Sequence, residues 1–388
     1  MDKKANFACS TVTAPPLAGL TDEEMRVMHL LRSQTYQQVA DLTGWSRGRI
    51  YQLALATGTR KNEARILERT ESRKRRQLEF LKSVMDSTLK SDVLDFIEGL
   101  PDDSVDLYVT SPPYNVGKRY GDGPAADSMR FTYFHGWLMQ IISEIGRTLK
   151  PGGVVCLNVG KTVDWQDHML PMDIMLFENL RTAGLTFQDR VIWTSTHGLT
   201  PKRRLAGRHE TMLVFSKGDL AVFNATPART PQLNPGKRAY KGPNKGALSS
   251  NPLGAHPTDV WSDIGQVRNN HPDRRHGEHP AQFPVSLARR AMLLYTIPGA
   301  LVCDPFSGSG SSAVASIETG RHFIGADLFY EDLRASRIAA AVPDTYSQLP
   351  GVNETTLAVW QAEARRVEHH PVAPRTANNV TTAQIALL

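Results

Sequence analysis

Residues 300–327 constrain the fold more than any other stretch of this 388-residue chain. An apolar run, Ala300-Leu301-Val302-Cys303, leads into Asp304-Pro305-Phe306-Ser307-Gly308-Ser309-Gly310, and a helical segment follows from Ser311 to Thr319. A second strand pattern, His322-Phe323-Ile324-Gly325-Ala326, ends in Asp327. Strand, glycine turn, helix and strand make a β-α-β unit, and such units build parallel sheets with helices on both faces. The spacing Gly308-x-Gly310-x-x-Ala313 removes side chains where a ligand and the helix must approach closely. Asp327 lies about 20 residues past the glycines, where a carboxylate can reach a ribose. A glycine turn alone would also suit tight packing or a dinucleotide. Asp304 before it and Asp327 after it favour a nucleoside-containing ligand.

A second stretch carries the other half of the chemistry. The apolar run Val105-Asp106-Leu107-Tyr108-Val109 reads as a buried strand, followed by Thr110-Ser111-Pro112-Pro113-Tyr114-Asn115-Val116. Two prolines fix two φ angles and remove two donors, so the backbone there is stiff and its carbonyls are free to accept. That suits a site gripping an amine, which offers two N–H donors, beside a flat ring. The bland alternative is a proline-rich turn.

Together, and in this order, the two stretches resemble the beta class of amino-DNA-methyltransferases, over roughly residues 92–333. In that family the catalytic Ser/Asp-Pro-Pro-Tyr element precedes the S-adenosylmethionine element, a circular permutation of the usual order. Subsidiary matches are Ser91-Asp92-Val93-Leu94, Leu100-Pro101-Asp102-Asp103-Ser104, Leu149-Lys150-Pro151-Gly152-Gly153, His209-Glu210-Thr211-Met212-Leu213-Val214-Phe215 and His279-Pro280-Ala281-Gln282-Phe283-Pro284. Where the family commonly has Lys-Pro, this chain has Phe283-Pro284.

The resemblance implies an α/β, Rossmann-like S-adenosylmethionine-dependent sheet in circularly permuted order. It also implies methyl transfer from S-adenosylmethionine to an exocyclic amine of a base flipped out of double-stranded DNA. Ser111 Oγ and the Pro112 carbonyl would accept the amine hydrogens, Pro113 would stiffen the corner and Tyr114 would stack on the base. The cofactor would lie against Asp92, Gln282, Phe283, Asp304, Phe306, Ser307, Gly308, Gly310, Ser311 and Asp327, with Asp304 orienting its amino-acid end. No metal is needed. Thr-Ser-Pro-Pro-Tyr is associated more often with cytosine N4, and Asp-Pro-Pro-Tyr with adenine N6, so N4 is the expected acceptor and N6 the alternative. A DNA-binding regulator with a vestigial methyltransferase domain, and an enzyme acting on an RNA or protein amide, are further alternatives. A homodimer and a cognate restriction endonuclease are the partners such an enzyme could have.

The chain has 40% apolar residues and a net charge of +6, consistent with a sizeable core and a polyanionic partner. Cys9, Cys156 and Cys303 have no metal or redox spacing, and none follows a proline in a loop, which argues against cytosine carbon-5 chemistry. No apolar run is long enough to span a membrane and no signal peptide is present, so a cytoplasmic location is expected. His256, His271, His276 and His279 are irregularly spaced and read as loop residues rather than ligands.

Residues 1–20 read as a leader. Residues 21–60 read as three helices with a helix-turn-helix arrangement: Thr21 and Glu24 form a capping box, Met25, Met28 and Leu31 face inward, residues 35–42 bury Val39 and Leu42, and a Thr43-Gly44-Trp45 turn precedes a Ser46-capped helix with Ile50 and Leu53 inside. That last helix would present Arg47, Arg49, Tyr51 and Gln52 to DNA. Residues 61–88 read as a basic helical linker in which residues 73–76 are the least paired. The catalytic domain is expected over 89–340, with 217–276 inserted as a target-recognition region and 341–388 as a tail. Lys118, Arg203 and Lys241 are further candidate DNA contacts.

Overall fold

The computed structural model describes residues 20–343, apart from 32–33, 58–62, 122–126, 164–165, 167, 196–199, 204, 233, 235, 250, 252, 269–270 and 275–278; side chains of 55–56 and 63–69 are also excluded. The leader before residue 20, Cys9, His276 and the tail from residue 344 lie outside the described residues. The chain divides into two compact units, residues 1–79 and 80–388.

The first unit contains α1 (Asp22–Leu31), α2 (Tyr36–Thr43), α3 (Arg47–Thr57) and most of α4 (Glu63–Val84). The capping box at Thr21 is present: the Thr21 N–H donates to Glu24 Oε2 at 2.9 Å and the Glu24 N–H to Thr21 Oγ1 at 3.3 Å. Thr35 and Gln38 form another box on α2, and Gly44 ends it in a left-handed conformation. Val27, Leu31, Val39, Trp45, Ile50 and Leu53 make the small core. Two expectations are corrected here. Met25 and Leu42 point outward at 47% and 56% exposure, because Val27 takes the inner place on α1 and Val39, with Tyr36 and Ala40 packed against the same core, fills the inner face of α2. On α4 the basic stretch is more paired than expected, with Lys74 beside Glu71 and Arg75 beside Glu79. These pairs are exposed and contribute little to stability.

The second unit runs β1 (Ser87–Leu89), α5 (Val93–Glu98), β2 (Val105–Thr110), α6 (Phe131–Thr148), β3 (Leu149–Val159), β4 (Lys161–Val163), β5 (Met169–Pro171), α7 (Met172–Thr182), β6 (Thr186–Thr194), β7 (His209–Ser216), β8 (Val260–Trp261), α8 (Val285–Tyr295), β9 (Leu301–Asp304), α9 (Ser311–Glu318), β10 (His322–Ala326) and α10 (Glu331–Ala340). β4 pairs with β5, and the other eight strands form one sheet in the order β1-β10-β9-β2-β3-β7-β6-β8. Every neighbouring pair is parallel except those made by β7, so the sheet is mostly parallel with one reversed strand. Alternation along β2 divides the core: Tyr108 faces α5, α6 and α7, while Leu107 and Val109 face α8 and α9. The α/β expectation therefore holds, with helices on both faces.

β1 pairs with β10 through Thr88 and Gly325, so the sheet begins at residue 87, just before the domain start expected at residue 89. The inserted region is not uniformly irregular either. β8 continues the sheet, and Trp261 and Ile264 are buried in the core, a contribution too short to show periodicity.

The order of strands positions the site. From β2 the chain steps outward to β3, whereas from β9 it steps the other way to β10. β2 and β9 are neighbours, with Leu107 opposite Val302 and Tyr108 opposite Cys303. A crevice at the carboxyl ends of strands, where the order reverses, is where α/β sheets bind ligands. Two buried or half-buried carboxylates fix the pair. Asp106 accepts from the Leu301 N–H at 2.8 Å at one end, and Asp304 accepts from Thr110 Oγ1 at 2.7 Å at the other.

Candidate active site

The corner after β2 is held by a carboxylate. Asp127, 2% exposed, accepts from the backbone N–H groups of Asn115, Val116 and Lys118 at 2.5, 3.1 and 3.1 Å. That anchors the Ser111–Tyr114 turn from below. The Tyr114 hydroxyl lies 3.0 Å from Ser111 Oγ and donates to Glu210 Oε2, also at 3.0 Å. Asn158 at the end of β3 donates to the same Glu210 oxygen at 2.6 Å. Burial, then the charge of Glu210, pushes the Tyr114 phenol well up from its ordinary range, so it stays protonated.

The corner after β9 is built from glycine geometry and two arginines. Gly308 has a φ of +46° and its N–H donates to Asp327 Oδ2 at 2.8 Å. Gly310 has a φ of +83° and opens α9 in a left-handed conformation that favours glycine. Behind the turn, Arg334 donates to the Gly308 carbonyl at 3.1 Å and Arg337 to the Ser309 carbonyl at 2.8 Å. Both arginines are buried, at 0% and 4% exposure. These carbonyls face away from water, and the guanidinium groups satisfy them.

Both corners border one cavity of about 380 Å³, within the range of small-molecule sites. Its wall includes Ser111, Pro112, Pro113 and Tyr114 from one side and Phe306, Ser307, Gly308, Ser311 and Asp327 from the other. Asp92, Lys118, Gln282 and Phe283 also line it. Asp92 caps α5 through the Leu94 N–H, and Phe306 meets Trp137 edge-on at 5.6 Å between ring centres.

Two expected cofactor residues do not reach the cavity. Asp304 is 3% exposed and spends its oxygens on Thr110 Oγ1 at 2.7 Å, Ser312 Oγ at 2.5 Å and the Phe306 N–H at 3.1 Å. These bonds join the two corners. Gly310 is also absent from the wall, and a Cβ there would meet Arg334 Cγ at 3.4 Å. Its glycine serves the turn. Arg47, Arg49, Arg203 and Lys241 are exposed; Arg49 lies 3.5 Å over the Trp45 ring.

The sequence reading missed Glu210 and Asn158 as a unit, Asp127, the two arginines, and His279. His279, read as a loop residue, is 8% exposed in the wall, with its ring 4.5 Å from that of Tyr330. Burial, with Lys118 and the arginines Arg337, Arg334 and Arg274 adding to it, pushes its pKa down to about 4, so the ring is neutral at pH 7. A Cβ on Gly308 would stand 2.8 Å from His279 Nε2. Gly308→Val should therefore drive the His279 ring toward the cavity and strain a left-handed residue. We expect at least a tenfold rise in the dissociation constant for S-adenosylmethionine by calorimetry, on the order of 1.4 kcal/mol; unchanged affinity would show that the turn does not border the ligand.

Residues 105–336, from β2 into α10, match the family model described as a DNA methylase, which covers N6 and N4 methyltransferases. The chain belongs to the N6/N4 DNA methylase family. Among relatives, the Type II methyltransferase M.BglII of Bacillus subtilis is 36% identical over 276 residues, covering 70% of this chain and 74% of that protein. The DNA adenine methyltransferase YhdJ of Escherichia coli (strain K12) is 28% identical over 262 residues, covering 67% of this chain and 84% of its own length. A solved structure, the cytosine-N4-specific PvuII DNA methyltransferase, is 19% identical with a TM-score of 0.51, covering 73% of this chain and 93% of that one. At that identity the likeness speaks to the methylase fold alone. Among the described residues, no cluster of His, Cys, Asp or Glu could hold a metal, and no helix is long and apolar enough to cross a membrane.

Proposed function

We propose that this S-adenosylmethionine-dependent DNA methyltransferase modifies the exocyclic N4 amine of cytosine in duplex DNA. The observation that carries the reading is the shared cavity: an acceptor-rich corner at Ser111–Pro112 opens onto the same space as the glycine turn. The walls suit the cofactor. Asn158 Oδ1 and Gln282 Oε1 are buried without hydrogen-bond partners among the described residues, and both are acceptors for a ligand carrying amine and ammonium hydrogens. Asp327, whose burial pushes its carboxyl up, would take a ribose hydroxyl, with Asp92, Phe306, Ser307, Gly308, Ser311, Gln282 and Phe283 around the rest. When bound, S-adenosylmethionine supplies an electrophilic methyl group on sulfur.

The chain's own residues do the remaining work. A ring amine is a weak nucleophile because its lone pair is delocalised. Ser111 Oγ and the Pro112 carbonyl would accept its two hydrogens, localising that pair and aiming it, so orientation supplies much of the rate. Tyr114 would hold the ring flat, and the base must leave the duplex to arrive there. Serine rather than aspartate at position 111 favours cytosine N4 over adenine N6. Arg47 and Arg49 on α3, with Lys118, Arg203 and Lys241, are proposed phosphate or base contacts. The relatives named as Type II methyltransferases make a cognate restriction endonuclease the partner to look for.

Incubation with methyl-labelled cofactor and genomic DNA, followed by digestion to nucleosides, tests the acceptor. Label is expected in N4-methylcytosine; label in N6-methyladenine alone would reject the cytosine assignment and leave the methyltransferase in place.

A further inference from the structure

We propose that Glu210 is the terminal proton acceptor of the transfer, reached from the substrate amine through Ser111 Oγ and Tyr114 Oη. The proposal rests on the methyl-transfer reading of the cavity and adds a direction and an end point to its hydrogen bonds.

The direction follows from donor counting. An ionised carboxylate only accepts, so both neighbours of Glu210 Oε2 must donate: Tyr114 Oη at 3.0 Å and Asn158 Nδ2 at 2.6 Å. A phenol has one hydrogen, and Tyr114 has used it on Glu210. The 3.0 Å contact between Ser111 Oγ and Tyr114 Oη can therefore be made only by the serine hydrogen. Ser111 Oγ then presents lone pairs alone to the cavity. A neutral hydroxyl, which could otherwise donate, becomes an acceptor because of a carboxylate two hydrogen bonds away.

That polarity has a consequence for the product. A base amine that has gained a methyl group carries one proton more than the neutral product. The N–H bond breaks as an O–H bond forms on Ser111 Oγ, the serine's original proton moves to Tyr114 Oη, and the tyrosine's moves to Glu210 Oε2. The base ends neutral, both hydroxyls are restored and Glu210 becomes a carboxylic acid. One proton crosses and no co-reactant is required. Asn158, 2% exposed at the end of β3, holds the receiving oxygen in place, so the accepting end of the relay sits on strands β3 and β7.

The test uses the full chain with S-adenosylmethionine and unmethylated genomic DNA, and compares single-turnover rates with both binding affinities. Glu210→Gln keeps the shape but supplies hydrogens where the carboxylate had none, so it scrambles the direction of the chain. The rate is expected to fall by about 10²-fold, in the range of a lost acid–base group, with DNA and cofactor affinities within about threefold of wild type. Tyr114→Phe keeps the ring and breaks the relay, and should give a similar loss. The double variant should be little worse than either single one, because residues acting as a unit are not additive. Glu210→Asp, which retains a carboxylate, should recover part of the rate. A Glu210→Gln rate within about threefold of wild type would overturn the relay, as would affinities falling together with rate or losses that multiply in the double variant. Absence of transfer by the wild-type chain would instead reject the methyl-transfer reading itself, and the relay with it.

Discussion

Ser111→Ala is expected to lower the single-turnover rate of methyl transfer by about 10²- to 10³-fold, the scale on which removing one preorganised polar group acts. Affinity for S-adenosylmethionine and for DNA should stay within about threefold, since the interaction matters mainly as charge develops on the amine. The side chain is small, half-buried and hydrogen-bonded to Tyr114, so its removal opens little space. Tyr114 would still donate to Glu210, leaving the corner folded. Rapid-quench measurement with labelled cofactor, beside a filter-binding assay, separates the two quantities. A rate within tenfold of wild type would remove Ser111 from the chemistry.

Asp304→Ala should be the most damaging single change to stability. It leaves Thr110 Oγ1 and the Phe306 N–H without their acceptor, and Ser312 Oγ with only the Val109 carbonyl at 3.2 Å, in a place sealed from water. At about 1–3 kcal/mol for each of the two buried donors left unsatisfied, a loss of at least about 2 kcal/mol is expected, read as a fall in the urea midpoint. Asp304→Asn, which keeps one accepting oxygen, should lose less. The charge also leaves a signature. Burial raises the Asp304 pKa to about 6, against the hydrogen bonds from Ser312, Thr110 and Phe306 that lower it. A carboxyl whose folded pKa exceeds its unfolded value contributes stability that is fully present at low pH and lost as pH rises through about 6. Wild type should therefore gain on Asp304→Asn below pH 6 relative to above it. A difference that does not change with pH would mean that Asp304 titrates normally and is not sealed.

Local pattern made much of the framework legible. β10 occupies the residues expected from sequence, β2 runs one residue further and β9 is shifted by one residue, because each is an apolar run bounded by a turn. The Ser111–Tyr114 corner and the Phe306–Ser311 turn fall on one cavity because β2 and β9 are neighbours, a pairing that neither stretch shows alone. What could not be read depends on partners far along the chain. The bond from Thr110 to Asp304 spans 194 positions, and no local pattern signals it. Glu210 and Tyr114 are 96 positions apart, and Arg337 lies 28 past the Ser309 carbonyl it satisfies. A charged residue's neighbours decide whether it binds, holds or catalyses, and those neighbours are set by topology. Periodicity also gave the faces of α1 and α2 only approximately, since Met25 and Val27, or Val39 and Leu42, compete for one small core.

The most direct measurement is a crystal structure of the full chain with S-adenosylmethionine bound. Electron density for the cofactor is expected between the Gly308 turn and Asp327, its ribose at the carboxylate and its methyl group turned toward Ser111 Oγ and the Pro112 carbonyl. Cofactor on any other surface, or lying here with the methyl group turned away from Ser111, would contradict a single cavity joining donor and acceptor.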